Sequence, residues 1–431
     1  MSRVGTHQQR LARLQMNSAS FSAARIHRAC RALSGALLLA ALTGSAVLSA
    51  QEMDTATSER QIRADAGAGE QAFRKAISGI ESTHGAYAAA LSEQLLSLGL
   101  VLQSRGQHDE AVDLFKRGVH LARINDGLYS EQQIPLLQGQ IASHIALGNY
   151  VAADERQHYM YRVQIRSMDN GQSLTMAFMQ QANWQHNAYS LGLGPQGYTR
   201  IMNMWDLYRL ALNDIIAREG ETSPNLLPPL HGMLEAQYLI SGYRWQDHSD
   251  SSGGDLGARQ DLNRFSTYRA QSYQKGSAVI TAIHDIELQR EGEQGVATVQ
   301  ALIMLGDWQL WHDQRDAAWQ TYQGALTELA ERDDAQLQMD HLLGEPVALP
   351  NIAGVRPLPP AVDTAEANIL LEFDVSARGR VVNLERLDEN EAIDGKAHRL
   401  MRKLRKTKFR PRFEAGQPTE TEKLVKAFNI E

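Results

Sequence analysis

The hydrophobic pattern of the chain changes its period once, near residue 365. From about residue 60 to residue 340, apolar residues recur at the three- and four-residue spacing of amphipathic helices, and Ala, Leu, Gln, Glu and Arg dominate. In ILLEFDVS, residues 369–376, the spacing becomes two, which is typical of a strand with one apolar face. The pattern therefore predicts a long helical region followed by a small domain that contains a sheet.

One helix pair is legible in residues 95–123, LLSLGLVLQSRGQHDEAVDLFKRGVHLAR. Gly106 is predicted to end the first helix, and small residues on both helices would let them approach closely. Phe115 would then fill the space between them. The residues predicted to make this packing are Leu98, Gly99, Ala111 and Phe115. The stretch resembles a tetratricopeptide (TPR) unit, a helix-turn-helix repeat.

The same offsets recur in LGDWQLWHDQRDAAWQTYQGALTEL, near the end of the helical region. The corresponding packing residues are Leu305, Gly306, Ala318 and Tyr322. A weaker copy contains Gly148 and Ala153 but has Gln157 in place of the aromatic residue. We therefore predict that residues 51–340 form a TPR-like α-solenoid, in which each helix pair buries its apolar face against its neighbours.

The first fifty residues have the layout of a secretory signal. Basic residues between Arg25 and Arg31 precede the apolar LSGALLLAALTGSAVLSA, and small residues end at Ala50. This predicts a signal peptide over 1–50, cleavage near Ala50 and a periplasmic mature protein. The alternative is an uncleaved inner-membrane anchor. Cys30 is the only cysteine and lies inside this segment, so the mature chain is predicted to have no disulfide and no thiolate ligand.

Three features resemble sites of chemistry but lack the required context. GLGPQG, residues 192–197, has the letters of a dinucleotide-binding loop, but the preceding residues have a helical pattern, so a turn between helices is predicted. The polar stretch 246–261 carries Asp247, His248, Asp250 and Asp255 without the spacing of a calcium loop, which favours a solvated loop. Tryptophans near helical spacing are expected either to pack in the core or to line a peptide groove: Trp184, Trp308, Trp311 and Trp319.

The sequence contains no HExxH motif and no Gly-x-Ser-x-Gly elbow. We therefore predict that the protein is not an enzyme and has no cofactor and no metal site. The formal net charge is -7, which argues against general nucleic-acid binding because that requires a domain-wide basic excess. Any binding of an acidic or anionic partner would therefore depend on a local basic patch.

One such patch runs from Lys396 to Arg412, with nine basic residues and no acidic one. Three interpretations are open: a solvated face, a surface for an acidic partner, or phosphate contacts to a nucleic acid, with Phe409 and Phe413 stacking on bases. The export signal disfavours the last. In a strand, Phe409, Pro411 and Phe413 would share one face, and Lys408, Arg410 and Arg412 would share the other, available to a partner.

The C-terminal residues predict a compact order of elements. Residues 341–365 are proline-rich and are predicted to form an extended linker. Residues 366–431 then give a strand, a turn at Arg378-Gly379, a second strand, an amphipathic basic helix and one or more closing strands. The predicted fold class is multidomain, with an N-terminal TPR-like α-solenoid and a small C-terminal β-β-α-β domain of the α+β type.

This C-terminal region resembles the C-terminal domain of TonB-type proteins. The matching positions follow the family's order of strand, glycine turn, strand, helix, Phe-x-Pro and closing strand: Gly379, Ile393, Asp394, Ala397, Phe409, Pro411, Gly416, Pro418, Phe428 and Ile430. The resemblance implies binding of envelope partners, with the closing strand, Glu420 to Ile430, accepting an extended peptide by strand addition. The predicted partner contacts in this strand are Glu420, Lys423, Val425 and Phe428.

Together these features predict a non-catalytic, exported adaptor protein of the bacterial envelope. Its helical array and its TonB C-terminal-like domain would each bind a protein partner, such as an outer-membrane transporter, and neither would bind nucleic acid. If the N-terminal segment is retained as an anchor, the alternative is an atypical TonB-type energy transducer for outer-membrane transport.

Overall fold

The computed structural model describes residues 69–194, 196–244 and 256–430. The chain is mostly helical with a small C-terminal β region, as the change of period predicts. It divides into two compact units between Ala211 and Leu212. The predicted signal over 1–50 lies outside the described residues, as do Asp247, His248, Asp250 and Asp255 of the predicted polar loop. The rest of that predicted loop, residues 256–261, is helical instead.

The first unit consists of helices joined by short turns. They are α1 (69–84), α2 (Leu91–Ser104), α3 (His108–Asp126), α4 (Gln133–Ala146), α5 (Tyr150–Ser167), α6 (Gln172–Ser190) and α7 (Gly197–Glu219), and the division between units falls within α7. Gly106 follows the C-cap residue Arg105 and has a φ of 75°, so it ends α2 as predicted. The GLGPQG sequence joins α6 to α7, so its predicted place between two helices is confirmed.

The core of the first unit contains the predicted packing residues. Leu98, Ala111 and Phe115 are buried in one apolar cluster. A Cβ atom added to Gly99 on α2 or to Gly139 on α4 would lie 2.5 Å from the Phe115 ring. The ring on α3 therefore occupies space that only glycine leaves open on both neighbouring helices.

The second unit continues with helices and ends in strands. Its helices are α8 (Leu227–Gly242), α9 (Leu256–Ala270), α10 (Ser272–Glu291), α11 (Val296–Trp311), α12 (Arg315–Ala330), α13 (Ala335–Leu343) and α14 (Asp394–Lys406). Short 3-10 turns cover Pro224–Leu226 and Glu391–Ile393. Its strands are β1 (Val347–Leu349), β2 (Ile369–Val375), β3 (Val381–Arg386), β4 (Lys408–Arg410), β5 (Arg412–Glu414), β6 (Gln417–Thr419) and β7 (Thr421–Phe428).

Helices α11 and α12 pack through the second set of predicted residues. Tyr322 and Ala318 are fully buried, and the Tyr322 ring lies so close to Gly306 that a side chain there would collide with it. Leu305 is only half-buried, unlike Leu98 in the first helix pair. The glycine-aromatic contact therefore recurs in both helix pairs, while the leucine position differs.

The positions of the four tryptophans favour packing in the core over the lining of a peptide groove. Trp184 and Trp308 are buried, and the Trp308 indole N–H donates to the Tyr273 carbonyl oxygen at 2.9 Å. Trp311 is half-buried, and its ring lies edge-on to Tyr238. Trp319 lies edge-on to Phe413.

The C-terminal strands form a three-stranded sheet in the order β3–β2–β7, with all neighbours antiparallel. Two further pairs, β1 with β4 and β5 with β6, are also antiparallel. One face of the main sheet packs with the apolar stripe of α14, formed by Ala397, Leu400 and Leu404. The charged remainder of α14 faces outward, which is why its sequence is so basic.

The proline-rich segment is attached to the domain at two places. Its strand β1 pairs with β4, with Val347 opposite Arg410 and Leu349 opposite Lys408. Leu349 is fully buried in the cluster of α11 and α12. Farther along, Ala361 forms an isolated bridge with Phe428. The segment predicted to be an extended linker therefore makes backbone contacts with the C-terminal strands at both of these places.

Among the described residues, none of the helices has both the length and the apolar character needed to cross a membrane.

Candidate partner-binding site

Strand β7 lies at one edge of the three-stranded sheet. It pairs with β2 in a regular register from Ile369 opposite Phe428 to Phe373 opposite Leu424, and the register shifts beyond that point. An edge strand presents every second backbone N–H and C=O group away from the sheet. The closing strand of the sequence prediction is therefore positioned to accept another strand.

The alternation identifies which backbone groups point outward. The Asn368 N–H donates to the Phe428 carbonyl oxygen at 3.0 Å, so Phe428 faces β2. Val425 and Ala427 consequently face away from β2. The Ala427 carbonyl oxygen accepts from the Val362 N–H at 3.0 Å, whereas the outward N–H and C=O of Val425 have no partner among the described residues. The open part of the edge is centred on Val425.

The other end of the edge is closed by a bulge at Lys423. This residue has a φ of 51°, and its backbone N–H donates to the Asp374 carboxylate at 2.7 Å. A bulge of this kind re-aims the strand and limits pairing along the edge. The open edge between the bulge and the segment at Val362 is therefore short.

The predicted contacts in this strand occupy different environments. Val425 is 43% exposed, and the side chains of Glu420 and Lys423 are also exposed. Phe428, in contrast, is buried in the sheet core with Phe373. Phe428 thus supports the strand from within, while the other three residues lie at the surface.

Two basic residues of the junction before β7 make contacts within the chain and stay partly accessible. The Lys408 ammonium donates to the Trp311 carbonyl oxygen at 2.7 Å and pairs with Asp313 at 2.9 Å. The Arg412 Nε donates to the Glu420 carbonyl oxygen at 3.1 Å. Both side chains are half-buried, with their charges near the surface.

Arg410 lies in the interior rather than on the predicted basic surface. Only 5% of the residue is exposed, and its guanidinium lies 2.9 Å from the Asp307 carboxylate on α11. A second guanidinium nitrogen donates to the Leu342 carbonyl oxygen at 3.1 Å. The prediction that Arg410 points to a partner is wrong, because its side of β4 faces helices instead of solvent.

The Asp307 carboxylate accepts a second hydrogen bond. The Tyr322 hydroxyl donates to the other carboxylate oxygen at 2.7 Å. Burial raises the pKa of Asp307 above its ordinary value, whereas Arg410 and the Tyr322 hydroxyl act in the opposite direction. The buried carboxylate therefore depends on both partners for compensation.

The aromatic residues predicted to share one face, Phe409 and Phe413, pack in two different clusters. Phe409 packs against Phe373 in the sheet core, with 5.9 Å between ring centroids. Phe413 instead packs against Tyr322 on α12, at 5.2 Å. The expectation of a single packed face is wrong, because the strand is interrupted at Pro411: β4 pairs with β1 and β5 pairs with β6, and their aromatic rings enter different clusters.

Two positions of the family resemblance meet directly in the structure. The Phe409 N–H donates to the Gly379 carbonyl oxygen at 2.9 Å. Gly379 has a φ of 71°, and a side chain at this residue would collide with the Phe409 carbonyl oxygen. Glycine is therefore required here both by the turn conformation and by the close approach of β4.

His312 follows α11 and lies beside this junction. Its ring is 4.4 Å from the Trp308 ring, centroid to centroid. Burial, assisted by the nearby Lys408 and opposed by Asp313, lowers the pKa of His312 to about 4. The folded protein thus keeps this imidazole neutral at pH values where an unfolded histidine is charged.

We expect His312→Gln to remove part of the acid sensitivity of the fold. The contribution of neutral His312 is present above pH 6.5 and is lost as the pH falls from 6.5 through about 4, because only the unfolded state protonates readily there. Urea unfolding at several pH values should show the stability of the wild type falling relative to the variant in this window. His398→Gln, at an exposed position on α14, is the control. Parallel pH profiles for wild type and His312→Gln would contradict the assignment.

Sequence reasoning missed Asp307 as the partner of Arg410. A signal was present: Asp307 is the only charged residue in VATVQALIMLGDWQLW, the sequence of α11. A single carboxylate in an apolar helix calls for a buried partner. The partner is 103 residues away along the chain, which the pattern does not reveal.

Among the described residues, no group of three or more His, Cys, Asp or Glu side chains is placed to hold a metal ion.

Comparisons with protein-family models and with curated proteins gave no match. Among solved structures, the chain is similar to the crystal structure of BtubC (BKLC) from P. vanneervenii, with 15% identity over 65% of this chain and 92% of that chain. The TM-score is 0.37, a likeness that supports no inference about function.

Proposed function

We propose that the protein is a non-catalytic adaptor of the bacterial envelope whose C-terminal sheet binds an extended segment of a partner protein along β7. The observation that carries the proposal is the open backbone of Val425 on an edge strand. Strand addition supplies affinity through main-chain hydrogen bonds and selectivity through alternate side chains. The resemblance to TonB C-terminal domains, in which the closing strand has this role, supports the same mechanism.

The side chains beside the open edge indicate the chemistry of the bound segment. Lys423, at the bulge, and Val425 are both exposed. Lys426 lies on the face of β7 opposite to Val425 and is half-buried. A segment that combines an apolar residue with an acidic one fits this edge. The short open stretch suits a contact of a few residues rather than a long added strand.

The helical region is proposed to bind a different partner from the one bound by the C-terminal sheet. We infer that its helix pairs form a TPR-like array that binds a second partner. The close approach of Gly99 to Phe115 and of Gly306 to Tyr322 supports the inference, since it repeats one packing device in two helix pairs. Export to the periplasm rests on the N-terminal segment 1–50, outside the described residues.

An atypical TonB-type energy transducer is the second candidate, favoured by the apolar run that ends at Ala50. The two candidates differ in the fate of this run. Sequencing the N-terminus of the protein recovered from cells separates them. A mature chain that begins near residue 51 supports the adaptor, and an intact N-terminus in the membrane fraction supports the transducer.

The binding edge is tested by Val425→Pro in the full-length mature chain. Proline removes the outward N–H and is tolerated at an edge because that N–H is not used inside the sheet. Peptides selected from a phage-displayed library on the wild type should bind the variant at least about tenfold more weakly, the equivalent of one to two lost hydrogen bonds. Fluorescence anisotropy with the selected peptides measures the change.

Val425→Thr is the matched control, because it changes the side chain but keeps the N–H group. We expect it to bind the selected peptides within about twofold of the wild type. If every selected peptide binds Val425→Pro and Val425→Thr equally well, the edge of β7 is not the binding site and the proposed mechanism fails.

A further inference from the structure

A basic cavity lies in the second unit, on the side of β4 away from β1. Its volume is about 400 Å³. Three parts of the chain meet there: the turn between α11 and α12, the turn between β2 and β3, and the end of α14. Its basic lining residues are Arg315, Arg378, Arg380, Arg405, Lys406 and Lys408.

The charge of this cavity is not balanced within the chain. Asp313 is the one acidic lining residue, and it pairs with Lys408 at 2.9 Å. The other five basic side chains have no ion pair to a carboxylate within the described ranges. Arg315 is half-buried and the other four are exposed, so their charges are accessible to a ligand. The cavity is therefore a local excess of positive charge on a protein of net negative charge.

The lowered pKa of Asp313 agrees with this geometry. Its hydrogen bond from Lys408 is the largest cause, and Arg315 and Arg380 add further attraction for the charged carboxylate. Positive charges from α12, from the turn between β2 and β3 and from β4 thus act on the same carboxylate.

Helix electrostatics explain only part of this arrangement. Arg405 and Lys406 lie in the last turn of α14, where the helix dipole favours cations. Arg315 is the first residue of α12, where the dipole disfavours a cation. Arg378 and Arg380 flank the tight turn at Gly379 and belong to no helix. Three of the five unpaired cations therefore lack an explanation within their own elements.

We propose that this cavity binds a ligand that carries two or more phosphate groups. Arginine guanidinium groups bind phosphate oxygens through paired hydrogen bonds, and several arginines around one cavity match several phosphates. The volume lies within the range of small-molecule sites. The ligand is either a free oligophosphate or the phosphate headgroup of a lipid, and both present the same chemistry to the site. The site is separate from the edge of β7 and does not depend on the proposed function.

Isothermal titration of the full-length mature protein with tripolyphosphate tests the site. The wild type should bind, and Arg378→Glu/Arg380→Glu should bind at least about tenfold more weakly, since two cations become anions. The matched control is Arg399→Glu/Arg402→Glu, which makes the same charge change at exposed positions of α14 outside the cavity. It should stay within about threefold of the wild type at 0.15 M salt, where distant charges are screened.

Sedimentation with vesicles containing phosphatidylglycerol and cardiolipin distinguishes the two sources of phosphate. Vesicle binding that is lost in the cavity variant but kept in the control supports a lipid headgroup, and tripolyphosphate binding alone supports a free ligand. Arg405→Gln, which neutralises one cation without reversing it, gives a weaker version of the same loss. Absence of binding to both probes, or equal losses in the cavity and control variants, would overturn the proposal.

Discussion

Replacing Arg410 with methionine should lower the free energy of unfolding by about 3 to 5 kcal/mol. The substitution keeps most of the volume of the side chain and removes the charge that lies 2.9 Å from Asp307. A carboxylate buried without a cation has a large desolvation cost and no compensating attraction. Denaturant unfolding of the full-length mature chain, followed by tryptophan fluorescence, measures the loss, because Trp308 and Trp311 lie on the same helix as Asp307.

The paired variant Asp307→Asn/Arg410→Met separates this cost from the loss of packing. Asparagine is neutral and can still accept the Tyr322 hydrogen bond, so the double variant should recover a large part of the lost stability. Lys408→Met removes the neighbouring charge, which is half-buried and close to solvent, and should cost about 1 kcal/mol or less. A double variant as unstable as Arg410→Met alone would show that charge burial is not the cause.

Replacing Phe115 with alanine is expected to cost about 3 to 5 kcal/mol as well. The ring is 0% exposed and fills the space between Gly99 on α2 and Gly139 on α4. Alanine leaves a cavity on both sides, and the two glycines offer no side chain to fill it. The loss should appear as a lower denaturant midpoint for the first unit.

A double-mutant cycle with Gly139→Ala tests whether the fit is this specific. In the wild type, the new methyl group would lie 2.5 Å from the Phe115 ring and should destabilise the fold. In the Phe115→Ala background the space is empty, so the same substitution should cost little or become favourable. Additive effects of the two substitutions would contradict the packing model.

Local elements of the fold were predictable because their causes are local. The ends of the first helix pair follow from Gly106, and the close approach of α2 and α3 follows from the small residue at Gly99. The strand β2 follows from its alternating pattern, and the turn after it follows from Gly379, which needs a positive φ. The amphipathic stripe of α14 likewise follows from its spacing.

The long-range pairings were not predictable from these patterns. A basic residue in an alternating strand indicates a face but does not say whether solvent or a helix lies opposite. The pattern therefore predicts a surface position for Arg410, although Asp307 lies opposite it in the structure. A proline-rich composition predicts an extended linker, but composition does not reveal that Val347–Leu349, which contains no proline, pairs with β4.

The candidate binding edge was predicted only in part. The position of β7 at the end of the domain followed from the order of elements and from the resemblance to TonB C-terminal domains. Which residue of β7 has free backbone groups depends on the register against β2 and on the attachment of Val362. Neither is fixed by the periodicity of the strand, so the sequence alone does not distinguish the buried Phe428 from the exposed Val425.

The contact between Arg410 and Asp307 also decides which piece of the chain can be transplanted into another protein. A fragment that begins at the strand β2 would leave Arg410, Lys408 and Phe413 without the helices that hold them. Trp308 of α11 in turn packs against Gly276 of α10. Trp308 and Trp311 also pack edge-on against Tyr238 of α8. A portable version of the C-terminal sheet should therefore begin at Leu227, so that it carries its own helical base.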